Sequence, residues 1–236
     1  MAGHFLRAAV ARFAVAVLVG SALGALSAAA QPSVKEVVER FDAAQARVAT
    51  LQAPFSLTIR RAMLKTPTVT KGTLYLHESD FVHFSFAPPE DLILHITPKA
   101  LISYSPAEGV GELLKIGFFK NANRKFLGLG QKLSYLSDYF RISVAEGKDL
   151  PGTLLLTLEP RSLSVKKRMQ VLLLWVDRET YLPRQVNWVE RGGDSWLLEL
   201  GQLTTNQPLP ASVVGFRLPP GIPVKDEFNF FATRKK

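Results

Sequence analysis

From Lys71 to Pro106 the chain reads KGTLYLHESDFVHFSFAPPEDLILHITPKALISYSP, a series of short runs in which apolar side chains fall on every second residue. A period of two gives a strand one apolar face, and a helix cannot gather the same residues onto one side. Glu78-Ser79-Asp80, Pro88-Pro89-Glu90 and Pro98-Lys99 interrupt the runs with turn-forming residues. The segment therefore predicts consecutive strands in an antiparallel meander, not strands alternating with helices.

The same pattern extends in both directions. After Pro54, Phe55, Leu57 and Ile59 alternate with Ser56, Thr58 and Arg60. Further strands are expected over Thr73 to Leu76, Phe81 to Phe86, Leu92 to Thr97, Leu101 to Tyr104 and Glu112 to Phe118. Beyond them come Tyr139 to Val144, Thr153 to Leu158, Met169 to Val176, Arg184 to Val189 and Trp196 to Leu203. Two stretches depart from the period. Ser33-Val34-Lys35-Glu36 matches a capping box, and Val34, Val37, Val38, Phe41, Val48 and Leu51 follow at steps of three and four, which predicts a helix ending near Thr50. Phe126, Leu129, Leu133 and Leu136 suggest a second, short helix weakened by Gly128 and Gly130. Ten or eleven antiparallel strands with two helical pieces make one large sheet, whose apolar face has to be covered by closure or by helices.

The chain begins with Arg7 and Arg12, an uncharged run from Phe13 to Leu26, and Ser27-Ala28-Ala29-Ala30. This reads as a secretory signal peptide over 1–30, cut near Ala30, with an apolar run shorter than the roughly 18 residues of a spanning helix. The expected mature chain, 31–236, is a single exported domain carrying a formal charge of +7, since the leader holds two of the basic residues behind the total of +9. Export argues against nucleic acid as the partner. The basic runs Lys166-Lys167-Arg168 and Arg234-Lys235-Lys236 read as solvated loops. With no cysteine, neither a disulfide framework nor a lipid-modified thiol is available, and the fold must rest on an ordinary apolar core.

Catalytic patterns are not evident. His77, His83 and His95 lie in expected strands without the partners of a metal site, and read as exposed or hydrogen-bonded side chains. Gly128-Leu129-Gly130 lacks the third glycine of a dinucleotide loop, and no Gly-x-Ser-x-Gly elbow occurs. Asp177, Glu179, Glu190 and Asp194 fall in or beside turns, where carboxylates are expected in any case. We therefore expect neither an enzyme nor a bound cofactor. The apolar stripes Leu74 and Leu76, then Val82, Phe84 and Phe86, then Leu92, Leu94 and Ile96 fit either a sandwich core or the wall of an apolar cavity.

The order of features resembles the LolA-type periplasmic carriers of outer-membrane lipoproteins. TLQAPFSLTIRR is similar to that family's first strand, Gly72-Thr73-Leu74-Tyr75-Leu76 to its glycine-led second strand, and ITPKALISYSP to its following turn and strand. FRLPPGIPVKDEF matches most closely, with Phe216, Pro219, Pro220, Gly221 and Val224 in place.

The resemblance implies a mainly β fold: an incomplete antiparallel barrel with a helical lid, monomeric, whose apolar interior takes acyl chains. It also implies an inner-membrane transporter and an outer-membrane receptor as partners. On that basis Phe55, Leu57, Leu74, Leu76, Val82, Phe84, Phe86, Leu94 and Ile96 would line the pocket, with Val37, Val38 and Phe41 closing it from the lid. The family carries an arginine and proline after the second strand, the arginine bonding to lid backbone, where this chain has Glu78-Ser79. A carboxylate cannot donate those bonds, and Arg60 or Arg61 is the expected substitute. A carrier of another lipid is an alternative. So is a lipid-sensing regulatory module that binds a membrane anti-sigma factor, because the same fold resembles one.

Overall fold

The computed structural model describes residues 32–78, 80–115 and 132–225. The expected signal peptide, the strand end at 116–118, and Phe126 and Leu129 of the second helix lie outside the described residues.

Helix α1 (Val34–Gln45) opens the described chain, and Ser33 caps it by accepting from the Glu36 N–H. A first run of strands follows: β1 (Thr50–Arg60), β2 (Thr68–His77), β3 (Phe81–Phe86), β4 (Ile93–Ile96), β5 (Ala100–Ser105) and β6 (Val110–Lys115). Helix α2 (Leu133–Ser137) leads into β7 (Phe140–Glu146) and β8 (Thr153–Pro160), and α3 (Leu163–Lys166) into β9 (Met169–Asp177), β10 (Pro183–Glu190) and β11 (Ser195–Leu200). The chain continues through β12 (Thr204–Thr205), α4 (Ala211–Val214) and β13 (Val224–Lys225).

Among the described residues, thirteen strands belong to one sheet, ordered β13-β6-β5-β4-β3-β2-β1-β11-β10-β9-β8-β7, with β12 beside the start of β1. β7 does not pair with β13, so the sheet stays open. Every pairing is antiparallel except that of β13 with β6. This is the expected mainly β, incomplete barrel with helical elements.

Two boundaries differ from the sequence reading for physical reasons. Helix α1 stops at Gln45, and β1 begins at Thr50, before Pro54 rather than after it. Pro54 fits inside the strand because its edge faces the gap where the neighbour of β1 changes from β12 to β11. There its missing N–H breaks no ladder bond, while its carbonyl accepts from Gly201 N–H at 2.8 Å. The four-residue helices α3 and α4 are too short to show a period in the sequence.

Register puts one continuous apolar face on the inside of the sheet. Leu156 lies across from Leu174, Leu174 from Val186 and Val186 from Leu198. Leu198 continues to Leu57 on β1, and Ala53, Leu74, Phe84 and Leu94 align on the strands beyond. These side chains and the buried residues of α1 and α2 form a single core cluster.

Candidate lipid-binding face and its helical cover

Because Cβ direction alternates along each strand, the register decides which side chains share a face. Leu51, Ala53, Phe55 and Leu57 of β1 stand beside Leu76, Leu74, Gly72 and Thr70 of β2. Gly72, Leu74 and Leu76 stand in turn beside Phe86, Phe84 and Val82 of β3, and Phe84 and Val82 beside Leu94 and Ile96 of β4. The structure thus brings all nine expected pocket residues onto one face, and all are buried.

Gly72 is what lets the aromatic part of this wall form. Phe55 lies over the glycine and meets Phe84 and Phe86 edge to face, with ring centroids 5.4 and 5.1 Å away. Further along, the face becomes polar: Ser103 and Ser105 are buried on β5, and the Ser103 hydroxyl donates to Glu112 Oε2 on β6 at 2.9 Å.

Helix α1 packs into the same core, with α2 and β7 as its main neighbours. Val37 and Phe41 are fully buried in the same cluster, and Val38 is packed against it. The expected lid residues and the expected wall residues thus belong to one core cluster. Among the described residues no free cysteine and no group of three or more potential metal ligands accompanies them.

The expected latch is placed differently. Glu78 is exposed in the β2–β3 turn, with its N–H bonded to the Ala49 carbonyl at 2.9 Å. Arg60 and Arg61 are at the other end of β1, since Thr50 pairs with His77 and Ile59 with Thr68. Ten strand residues separate the two ends by roughly 30 Å. Arg61 instead donates to Asp194 Oδ2 at 2.8 Å and lies 5.0 Å from the Trp196 ring centre. Neither arginine is positioned to replace a latch at Glu78.

Other residues fasten α1. Asp42 accepts from the N–H groups of Leu133 and Ser134 at 2.6 and 3.3 Å, tying α1 to the first turn of α2. Arg40 donates to the Tyr181 hydroxyl at 3.2 Å and sits 5.4 Å from the centre of its ring, in the β9–β10 turn. At the exit of the helix, Asn206 accepts from Ala49 N–H and donates to the Arg47 carbonyl, both at 2.8 Å. Sequence reasoning missed these three because a polar residue on the outer side of an amphipathic helix, or an asparagine before a Gln-Pro turn, looks the same whether it is solvated or bonded to a distant segment.

No family model and no curated protein matches the sequence. Among solved structures, an uncharacterized conserved protein from Thermus thermophilus is similar at 12% identity, covering 80% of this chain and 96% of its own, with a TM-score of 0.48. A LolA superfamily protein from Nitrosomonas europaea is similar at 10% identity, covering 78% and 97%, with a TM-score of 0.40. The MucA/MucB complex of Pseudomonas aeruginosa contains a chain similar at 14% identity, covering 75% and 58%, with a TM-score of 0.44. These are likenesses of fold alone.

Proposed function

We propose that the chain is an exported, non-enzymatic carrier that shelters acyl chains of a lipoprotein on the inner face of its sheet. It would receive them from an inner-membrane transporter and deliver them to an outer-membrane receptor. The supporting observation is that a continuous apolar face from β8 to β4 shares one core with a helix held on through a few polar contacts. Each methylene kept from water is worth about 0.8 kcal/mol, so lipid chains gain strongly from such a face.

The interior is filled by the protein's own side chains, with Phe41, Leu74, Leu156 and Leu174 fully buried. Cargo must therefore displace α1. Exposing Val37 and Phe41 costs about 1.5–3 kcal/mol for each side chain, a sum that acyl chains recover as they take the helix's place. Binding and release are then two positions of one equilibrium.

Mass spectrometry of what copurifies from the native host without detergent tests the reading. Acylated lipoproteins in the bound fraction are expected. A defined non-protein lipid would replace the cargo, and a lipid-free complex with a membrane regulator would replace the carrier reading with the sensing one.

A further inference from the structure

Three loops meet at the end of the sheet where β1, β8 and β10 finish. The β1–β2 loop is tied to the β10–β11 turn: Asp194 accepts from Ala62 N–H and from Arg61, both at 2.8 Å. These bonds, the Ala62 N–H foremost, hold the Asp194 carboxyl below the usual carboxylate range. The β10–β11 turn is tied in its turn to the α3 segment, where Arg191 donates from its backbone to the Arg168 carbonyl at 3.1 Å and from Nε to the Lys166 carbonyl at 2.7 Å. Backbone and side-chain bonds thus brace the three loops into one rim.

Two features of this rim have no role inside the sheet. The first is apolar exposure. Met63 is 96% exposed, Leu64 56% and Leu163 78%, although a hairpin tip and a short helix are ordinarily polar. The second is charge. Arg60, Arg61 and Lys65 flank the methionine and leucine, and Arg161 and Lys166-Lys167-Arg168 flank Leu163. Arg191 lies between the two groups. Against these stand Glu190 and Asp194 within the same loops, and Asp194 is ion-paired with Arg61. The adjoining α2–β7 connection adds Asp138, and α2 before it the exposed ring of Tyr135.

We propose that this rim is a docking surface for an anionic lipid bilayer. Apolar tips ringed by lysine and arginine suit a surface that is negatively charged outside and hydrocarbon beneath: the cations meet headgroups while Met63, Leu64 and Leu163 enter the boundary layer. A folded acidic protein would satisfy the charges but would need a matching pocket for three separate protruding side chains. A bilayer needs none. The run Lys166-Lys167-Arg168, which sequence alone leaves as a solvated loop, becomes one side of the contact.

This surface lies outside the covered apolar face and is testable without any cargo, so its failure and that of the carrier reading are separate results. The experiment is co-sedimentation of the purified protein with phosphatidylcholine vesicles, with and without about one third phosphatidylglycerol. Binding is expected only to the anionic vesicles, falling at least about tenfold when salt is raised from roughly 0.1 to 0.5 M. Met63→Ser with Leu64→Ser should weaken it about tenfold through lost apolar burial. Lys166→Glu with Lys167→Glu and Arg168→Glu should abolish it. All these side chains are exposed, so unchanged thermal unfolding of both variants accompanies the expected result. No sedimentation with anionic vesicles, equal binding to neutral ones, or variants that bind as the parent does would overturn the proposal.

Discussion

His83 Nδ1 lies 3.0 Å from His95 Nδ1 across the β3–β4 pair, on the face of the sheet opposite the apolar wall. The two rings share one proton in that contact, one nitrogen donating and the other accepting. His83 Nε2 completes the chain with Ser85 Oγ at 3.1 Å. Phe81 and Phe216 cover the pair, with Phe216 5.3 Å from the His83 ring and 5.0 Å from the His95 ring. The Phe-Arg-Leu-Pro-Pro-Gly segment is thus anchored on neutral imidazoles. Burial, then the neighbouring His95, brings the His83 pKa down to about 4, and burial, then Arg217, does the same for His95.

Acid should therefore loosen this anchor. Between pH 6.5 and about 4 the unfolded chain binds protons that the folded pair refuses, so stability is complete above 6.5 and is lost as pH falls toward 4. A shift of that size corresponds to roughly 3 kcal/mol for one histidine, less than double for a coupled pair. Urea unfolding at pH 7.5 and 5 should show a smaller pH difference in the His83→Phe/His95→Phe double variant than in the parent. An equal difference in both would rule the pair out as the acid-sensitive element. His95→Phe alone should cost about 1–3 kcal/mol at neutral pH by leaving a buried ring nitrogen without its partner.

Gly72→Ala should be among the most damaging small substitutions in the sheet. A Cβ there would lie 2.1 Å from the Ser85 carbonyl oxygen and 2.9 Å from the Phe55 ring. The obstacle at 2.1 Å is backbone, so β2 and β3 must part, and the Phe55 ring must shift as well. A loss of about 3 kcal/mol is expected, at the upper end of overpacking costs, measured by chemical denaturation. A loss under about 0.5 kcal/mol, the range of ordinary surface substitutions, would mean that the strands separate freely.

The strand pattern was legible because each inward face is uninterrupted: Val82, Phe84 and Phe86 can occupy no other period, and β3 falls on Phe81–Phe86 as the alternation predicts. The helix α1 and its buried side were legible from its own period of three and four, through Val37 and Phe41. The fastening of the helix was not. Asp42 and Leu133 are bonded at 2.6 Å across a separation of 91 residues, and nothing local distinguishes that aspartate from a solvated one. The same holds for Arg61, which sequence places beside Arg60 but which only the fold can assign to Asp194. Similarity to known motifs located the glycine of β2 and the Pro-Pro-Gly segment, yet it also directed attention to Glu78, at the far end of β1 from the arginines expected to compensate.

The polar contacts of α1 should govern uptake more than stability. Asp42→Ala removes both bonds to the start of α2, and Arg40→Ala removes the contact with Tyr181, while Val37 and Phe41 keep their packing. Bonds to a charged group contribute about 1.5–3 kcal/mol, so opening of the helix should become roughly tenfold or more frequent in either variant. Amide exchange across Val34–Gln45 reads this directly, and faster binding of a fluorescent fatty acid should accompany it with little change in global unfolding. Phe41→Ala provides the contrast. If α1 were simply part of the core, that change would cost about 3–5 kcal/mol of global stability. If the helix separates before the sheet unfolds, the cost appears mainly as exchange in α1 and as weaker exclusion of the fatty acid. Exchange rates in α1 that equal those of β8 and β9 in every variant would show that the helix opens only with the sheet, leaving no separate movement by which cargo could enter.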